Sequence, residues 1–301
     1  MTAFATTASD TLHAAAAGAG GHGKENLFAE LLHHVRDSRE LEVPFLGHVS
    51  LPQFDPVTVA GIPIDVSITK HVVFLWVAAF LLIILATYAA RNNARRDVPR
   101  GFGNLIEVFI VYMRDEVAVP NMGPAGMRYL PYLLTTFFFI LVMNLLGLFP
   151  YGSTATSNVS VTAGLAIVAF IMIQAAAIRT QGIKHYLAHL TGGVHWVLWP
   201  IMVPIEILGL FTKPFALCIR LFANMSGGHI VIVSLLGLIF LFQSYLIAVA
   251  PAGFVVAIYF LELFVAFLQA YIFTMLTAVF MGLGMQEASH REGEERKPGV
   301  H

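Results

Sequence analysis

Long apolar runs without a charged residue recur along the chain, and they limit the folds that it can adopt. Val72 to Ala90, Tyr129 to Pro150 and Ser160 to Ile178 are three such runs. Each is close to the roughly 20 apolar residues that a helix needs to cross a bilayer. Of the 301 residues, 57% are hydrophobic and 12% are charged, with a mean hydropathy of +0.76. A soluble domain cannot reach this balance, so the pattern predicts an all-α integral membrane protein.

The last third of the chain is apolar almost without interruption from Trp196 to Ala250. A straight helix of that length would reach about 80 Å, against a hydrocarbon core of about 30 Å. The segment must therefore tilt steeply or break into two spans. Ser226 to Gly228 is a candidate bend, and Pro251 to Gly253 is a candidate turn into a final helix, Phe254 to Met285. The prediction is about five crossings, the last two long and tilted as a hairpin, with six as the alternative.

Basic residues at the ends of the apolar runs predict the orientation of the chain. Loops that face the cytoplasm are enriched in lysine and arginine. The residues that mark the inner ends are Arg91, Arg95, Arg96, Arg100, Arg128 and Arg179. With five crossings, the N-terminus lies outside and the C-terminal tail is cytoplasmic; six crossings would return the tail to the N-terminal side.

The polar parts of the chain complete the predicted domain organisation. Residues 1–69 form an N-terminal tail and a small extramembrane segment with strand-like stretches, residues 70–285 the membrane domain, and residues 286–301 the cytoplasmic tail. Asn104 to Val117 alternates apolar and charged residues too often to cross a bilayer, which predicts an interfacial amphipathic helix. The net charge of −1 gives no basic surface for nucleic acid, and the single cysteine, Cys218, excludes an internal disulfide framework.

A few polar residues interrupt the apolar segments of the last third, and each is costly in hydrocarbon. Glu206, Lys213 and Arg220 are seven apart, so on one helix they lie within about 40° of each other. Asn224 extends the same face by one turn. On the final helix Glu262 and Gln269 are again seven apart, on one face and about 10 Å from each other along the axis.

For each of these polar residues a structural interpretation competes with a functional one. Glu206 and Lys213 could form an internal ion pair, or Glu206 could belong to a channel. Arg220 has no carboxylate within one turn and cannot lose its proton, so its counter-ion must come from elsewhere. His229 alone would be a hydrogen-bonded core histidine, but with Glu262 on the next helix the two side chains can exchange a proton.

The segment KPFALCIRLFANMSGGHI, Lys213 to Ile230, resembles the signature of subunit a of the F-type ATP synthase. Residues that fit the family pattern are Arg220, Leu221, Ala223, Asn224 and Met225. Cys218 departs from it mildly, since the family usually has serine, alanine or glycine there. Glu206 keeps the family's distance from the arginine, and MNLLGLFP, Met143 to Pro150, is similar to an earlier motif that supplies Asn144.

Glu262 and Gln269 match the polar pair of the family's last helix. Bacterial members often carry the acid at the position of His229 and the imidazole at that of Glu262, whereas the mitochondrial type has the arrangement found here. The resemblance covers residues 70–290 approximately and implies a non-catalytic stator subunit in a bacterial-type inner membrane.

The resemblance also implies partners and roles. The partners are a c-ring of small proteolipid subunits, the b subunits of the peripheral stalk and, indirectly, the soluble ATPase sector, with no cofactor and no metal. Arg220 would face the ring carboxylate. The proton path would use Asn144, His229, Glu262 and Gln269 on the outer side, with Asn224 beside the arginine and Glu206 as a candidate on the inner side.

Two other classes of protein are alternatives to this one. His185 and His189, four apart, with His195 nearby could belong to a membrane metalloenzyme, but no glutamate lies within the pair. An interfacial loop is the better interpretation of these histidines. A secondary transporter would show internal repeats with matching Gly/Pro-broken helices, which the sequence lacks.

Overall fold

The computed structural model describes residues 40–43, 47–50, 57–59, 62–64, 70–94, 101–148, 155–183, 186, 199–242 and 245–295. The chain divides into two compact units. The first unit is Met1–Lys70 with Gly227–Leu261, and the second is His71–Ser226 with Glu262–His301.

Helices account for most of the described chain. In order they are α1 (Lys70–Ala94), α2 (Phe102–Tyr112), α3 (Val119–Met122), α4 (Leu130–Gly147), α5 (Val159–Gln181), α6 (Trp199–Phe242) and α7 (Tyr245–Glu295). Within the described residues five helices are long and apolar enough to cross a membrane: α1, α4 with the 3-10 turn before it, α5, α6 and α7. The predicted class, an all-α integral membrane protein with five crossings, is confirmed.

Four short strands in the first unit form two antiparallel pairs. β1 (Glu40–Val43) pairs with β2 (Gly47–Ser50), and β3 (Val57–Val59) pairs with β4 (Ile62–Ile64). Valine and isoleucine are enriched in these stretches, and β-branched side chains fit a pleated surface well. The strand-like stretches of the sequence are therefore strands, while the domain bounds stay predictions.

The long helices correct one prediction. Pro251 to Gly253 is not a turn, because these residues lie inside α7, and α6 continues through Ser226 to Gly228 without a break. In an apolar setting a broken helix leaves several backbone groups unpaired, whereas an internal proline removes one hydrogen bond. Continuity of the helix is therefore the less costly solution.

Contacts within the second unit show the relative direction of α6 and α7. Lys213 lies against Phe280, and Asn224 hydrogen-bonds to Gln269. Residues later in α6 thus contact residues earlier in α7, so the two helices run antiparallel there. This agrees with the predicted hairpin.

The segment predicted as an amphipathic helix, Asn104 to Val117, is helical. It covers most of α2 and most of the π-helical stretch that follows, Met113–Ala118. Met113 and Val117 are buried, while Arg114 and Asp115 are exposed and form an ion pair at 2.7 Å. The hydrogen bond from Arg114 lowers the pKa of the Asp115 carboxyl from its ordinary value. One side of the segment therefore packs on the protein, and its position at the membrane surface stays a prediction.

The core of the second unit includes residues of α4 to α7 and of the segment Met113–Met122, with small residues where backbones approach. Its buried side chains include Leu133, Ile140, Leu217, Phe273 and Met281. Gly282 on α7 lies against the backbone carbonyl of Asn121, so closely that a Cβ would collide with that oxygen. Helices in lipid associate through such close packing, because the surrounding lipid is as apolar as the side chains.

Gly282→Ala is expected to destabilise the folded protein by about 1–3 kcal/mol, the usual cost of overpacking a tight contact. The clash is with backbone, which cannot move away as a flexible side chain would. Thermal unfolding of the purified protein in detergent measures the effect.

Gly164→Ala is the matched control, since Gly164 is exposed on α5 and a Cβ there meets nothing within 4 Å. It should leave the unfolding temperature unchanged or raise it, because alanine favours a helix over glycine by about 0.5–1 kcal/mol. Equal behaviour of the two variants would contradict the packing described for Gly282.

Candidate functional site

Arg220 lies on α6 and points away from the core of the second unit. Leu217 and Leu221, on either side of it, are 1% and 0% exposed and face the core. Arg220 is exposed and makes no ion pair or hydrogen bond with any residue that the structure describes. The source of its counter-ion stays a prediction.

Small side chains flank the arginine on the exposed face of α6. Ala216 precedes Arg220 by one turn and Ala223 follows it closely, and both are exposed. Small residues allow the backbone of another helix to approach closely in a membrane. A cation at the centre of such a face can meet a carboxylate on a neighbouring helix.

Asn224, one turn after Arg220, connects this face to α7. Its Nδ2 donates a 2.7 Å hydrogen bond to Oε1 of Gln269. Gln269 is 1% exposed, and its Nε2 is buried without a hydrogen-bond partner in the described part of the chain. Buried amide nitrogens nearly always have a partner, often an ordered water. The polar face of α6 therefore continues into the interior of the second unit.

Asn144 on α4 is fully buried and contacts the same helix as Gln269. Its Nδ2 donates to the carbonyl oxygen of Ala266 on α7 at 3.3 Å. Glu262, 4% exposed, lies four residues before Ala266, and Gln269 lies three residues after it. The structure thus brings Asn144, Glu262 and Gln269 to one buried face of α7.

Thr156 belongs to this group and was not identified from the sequence. It lies in a 3-10 turn, Ala155–Ser157, just before α5, and its hydroxyl donates to Oδ1 of Asn144 at 2.9 Å. Thr156 is fully buried. In the sequence, the polar run YGSTATSNVS separates two apolar runs, and its serines and threonines were the available signal.

His229 also lies on α6, but in the first unit. Its side chain is half-buried. Its proximity to Glu262, which belongs to the second unit, stays a prediction.

Glu206 and Lys213 do not form the ion pair that was one interpretation of the sequence, as far as the structure describes their neighbours. Lys213 Nζ lies 5.1 Å from the centre of the Phe280 ring, a cation–π contact. Glu206 is half-buried. Burial, and then the Glu206 carboxylate, raise the pKa of Tyr186, whose hydroxyl donates to Oε1 of Gln174 at 3.1 Å.

A metal centre is not formed by the described residues, where no group of three His, Cys, Asp or Glu side chains could hold an ion. His185, His189 and His195, on which the metalloenzyme interpretation depended, lie outside the residues that the structure describes.

Comparison with known proteins gives the family. The model of the ATP synthase A chain family matches residues 72–282. ATP synthase subunit a 2 of Chlorobaculum tepidum is 50% identical over 285 residues, which cover 93% of this chain and 80% of the relative. ATP synthase subunit a of Chloroherpeton thalassium is 50% identical over 272 residues, 89% of this chain and 80% of the relative. ATP synthase subunit a of Anaeromyxobacter dehalogenans is 48% identical over 285 residues, which cover 91% of this chain and 74% of the relative. The chain therefore belongs to the ATP synthase A chain family.

Proposed function

We propose that this chain is the stator subunit of a rotary ATP synthase, in which Arg220 faces a c-ring and separates two proton half-channels. The observation that carries the proposal is the exposure of Arg220 on a membrane helix without a partner in the described residues. A charge at the centre of a bilayer costs about 2.5–3.5 kcal/mol on insertion scales. A carboxylate from another subunit would offset that cost.

The chemistry of the arginine follows from its fixed charge. A guanidinium close to a buried carboxylate stabilises the ionised form and so lowers the pKa of that carboxylate. A ring subunit that arrives at Arg220 therefore releases its proton. The same charge repels a proton that would cross directly between the half-channels, so that transport must proceed by rotation of the ring.

The outer half-channel is assigned to the buried polar residues on α4 and α7. Asn144 on α4 lies against the face of α7 that carries Glu262 and Gln269, and all three side chains are nearly inaccessible from the surface. The Nε2 of Gln269, which has no partner among the described residues, suits a bound water, and Asn224 connects Gln269 to the arginine-bearing face. His229 is assigned to the same path, where an imidazole can pass protons near neutral pH.

The inner half-channel is assigned to Glu206. Its lack of an ion pair with Lys213 among the described residues supports this role over a structural one. Proton pumping by Glu206→Gln tests the assignment, and a normal rate would remove Glu206 from the path.

The proposed orientation of the chain in the membrane is based on the positions of arginines at the helix ends. Arginines occur at the ends of α1 and α5 and just before α4, namely Arg91, Arg179 and Arg128. Placing these ends in the cytoplasm of a bacterial cell puts the N-terminus outside and the C-terminus inside. A C-terminal tag should be cleaved by protease in inverted membrane vesicles and protected in right-side-out vesicles; the reverse pattern would contradict this orientation.

Arg220→Ala is expected to abolish ATP-driven proton pumping and to raise passive proton conductance, because the barrier between the half-channels loses its charge. Arg220→Lys should also fail, since a buried lysine can release its proton and lacks the planar fork of donors. Pumping and passive conductance are measured in vesicles that contain the assembled complex.

Arg179→Ala removes an exposed arginine at the end of α5 and is the matched control. It should pump normally. Full coupling in Arg220→Ala would overturn the role of this residue. Failure of the chain to co-purify with a small two-helix proteolipid and a soluble ATPase sector would count against the stator function itself.

Glu262→Gln and His229→Ala are expected to slow proton pumping at least tenfold, in line with the 10²–10⁴-fold contribution of positioned proton-transfer groups. Glutamine keeps the shape of the buried side chain but cannot carry the proton. The initial pumping rate per assembled complex is the measured quantity.

Glu116→Gln serves as the control for the loss of a carboxylate, since Glu116 is exposed on the π-helical stretch. Its pumping rate should match that of the unmodified protein. Normal rates in both Glu262→Gln and His229→Ala would exclude the two residues from the path.

A further inference from the structure

Thr156 is held at a junction of three elements. Its hydroxyl donates to Oδ1 of Asn144 at 2.9 Å, and Nδ2 of Asn144 donates to the Ala266 carbonyl at 3.3 Å. Thr156 and Asn144 are both 0% exposed, and Ala266 is also 0% exposed. The turn before α5, the helix α4 and the helix α7 thus meet at one amide group.

The two bonds permit only one orientation of that amide. The Ala266 carbonyl can only accept, so the nitrogen of Asn144 must face α7. The oxygen of Asn144 then faces Thr156, and the hydroxyl can meet it as a donor. Rotation of the amide by half a turn would set two oxygens against each other at Ala266.

A fixed amide has a fixed direction for its remaining donor. Of the two hydrogens on Nδ2, one goes to Ala266, and the other has no acceptor among the residues that the structure describes. Because Nδ2 lies 3.3 Å from the Ala266 carbonyl, this donor lies next to the α7 face that carries Glu262 and Gln269. A donor of constant direction can hold a water in one place, whereas a rotating amide cannot.

We infer that Thr156 is a positioning residue of the proton path: its hydroxyl holds the Asn144 amide in the orientation that presents an N–H to the Glu262–Gln269 face of α7. The inference rests on the proposed function, in which Asn144 lines the outer half-channel. Thr156 itself carries no proton in this arrangement.

Thr156→Val tests the inference, because valine has the shape of threonine without the hydroxyl and leaves Oδ1 of Asn144 without its donor. ATP-driven pumping per assembled complex should fall about two- to tenfold, the range that one neutral hydrogen bond can account for. Thr156→Ser retains the hydroxyl and should restore most of the rate. A purely structural role would instead lower the amount of assembled complex and leave the rate per complex unchanged.

Thr277→Val is the matched control. Thr277 is also 0% exposed in a membrane helix, but its hydroxyl donates to Phe273 of its own helix at 2.8 Å. Its pumping rate should equal that of the unmodified protein. A loss as large as that of Thr156→Val would overturn the inference, since any buried hydroxyl would then have the same effect.

The double variant separates the inference from the function on which it rests. Combined with Asn144→Ala, Thr156→Val should cause no further loss, because the hydroxyl then has no amide to orient. Multiplicative losses would overturn the inference. If Asn144→Ala pumps slowly, either of two results would overturn the inference and leave the assigned path standing. One is a normal pumping rate in Thr156→Val, and the other is a rate in Thr156→Ser as low as that in Thr156→Val. A normal pumping rate in Asn144→Ala would overturn both the assigned path and the inference.

Discussion

Polar groups inside an apolar medium need partners, and this requirement organises the second unit. Asn144 donates to the buried carbonyl of Ala266, and Asn224 donates to Oε1 of the buried Gln269, each across a helix boundary. A lost partner costs more in such surroundings than in water, because the local dielectric is low. Two amide contacts therefore define how α4 and α6 meet α7, and apolar side chains fill the remaining space. The same helices that carry the polar residues are thereby held in a constant relation to one another.

Small residues allow the helices to come close enough for those contacts. Gly282 lies against the backbone at Asn121, and a Cβ on Gly284 would lie 3.0 Å from that of Ala177. Side-chain amides are short, so an asparagine on one helix reaches a neighbouring backbone only when the axes are near. Close packing at glycine and alanine therefore makes the hydrogen bonds of asparagine possible. The exposed face of α6, with Ala216 and Ala223, offers the same close approach to a partner helix.

The sequence predicted the helices well because charge-free apolar runs have few alternatives in lipid. The sequence-based prediction was wrong at Pro251 to Gly253. Proline and glycine favour a turn in water, but in lipid a continuous helix keeps more backbone groups hydrogen-bonded. The spacing of seven placed Glu262 and Gln269 on one face of a helix, the family resemblance added Asn144 to the same path, and the structure brings Asn144 against that face. Thr156 could not be found in this way. Its partner is twelve residues earlier in the chain, and only the turn before α5 brings the two together.

The exposed guanidinium of Arg220 also bears on how such a complex is built. Under the proposed role, a newly inserted copy presents this charge to lipid until a ring carboxylate arrives. The solitary subunit therefore sits in the membrane at a higher free energy than the assembled one, and part of the difference is electrostatic. Under that role, pairing of Arg220 with the ring carboxylate would favour assembly, and a subunit without its ring would differ from an assembled one by this unpaired charge in lipid.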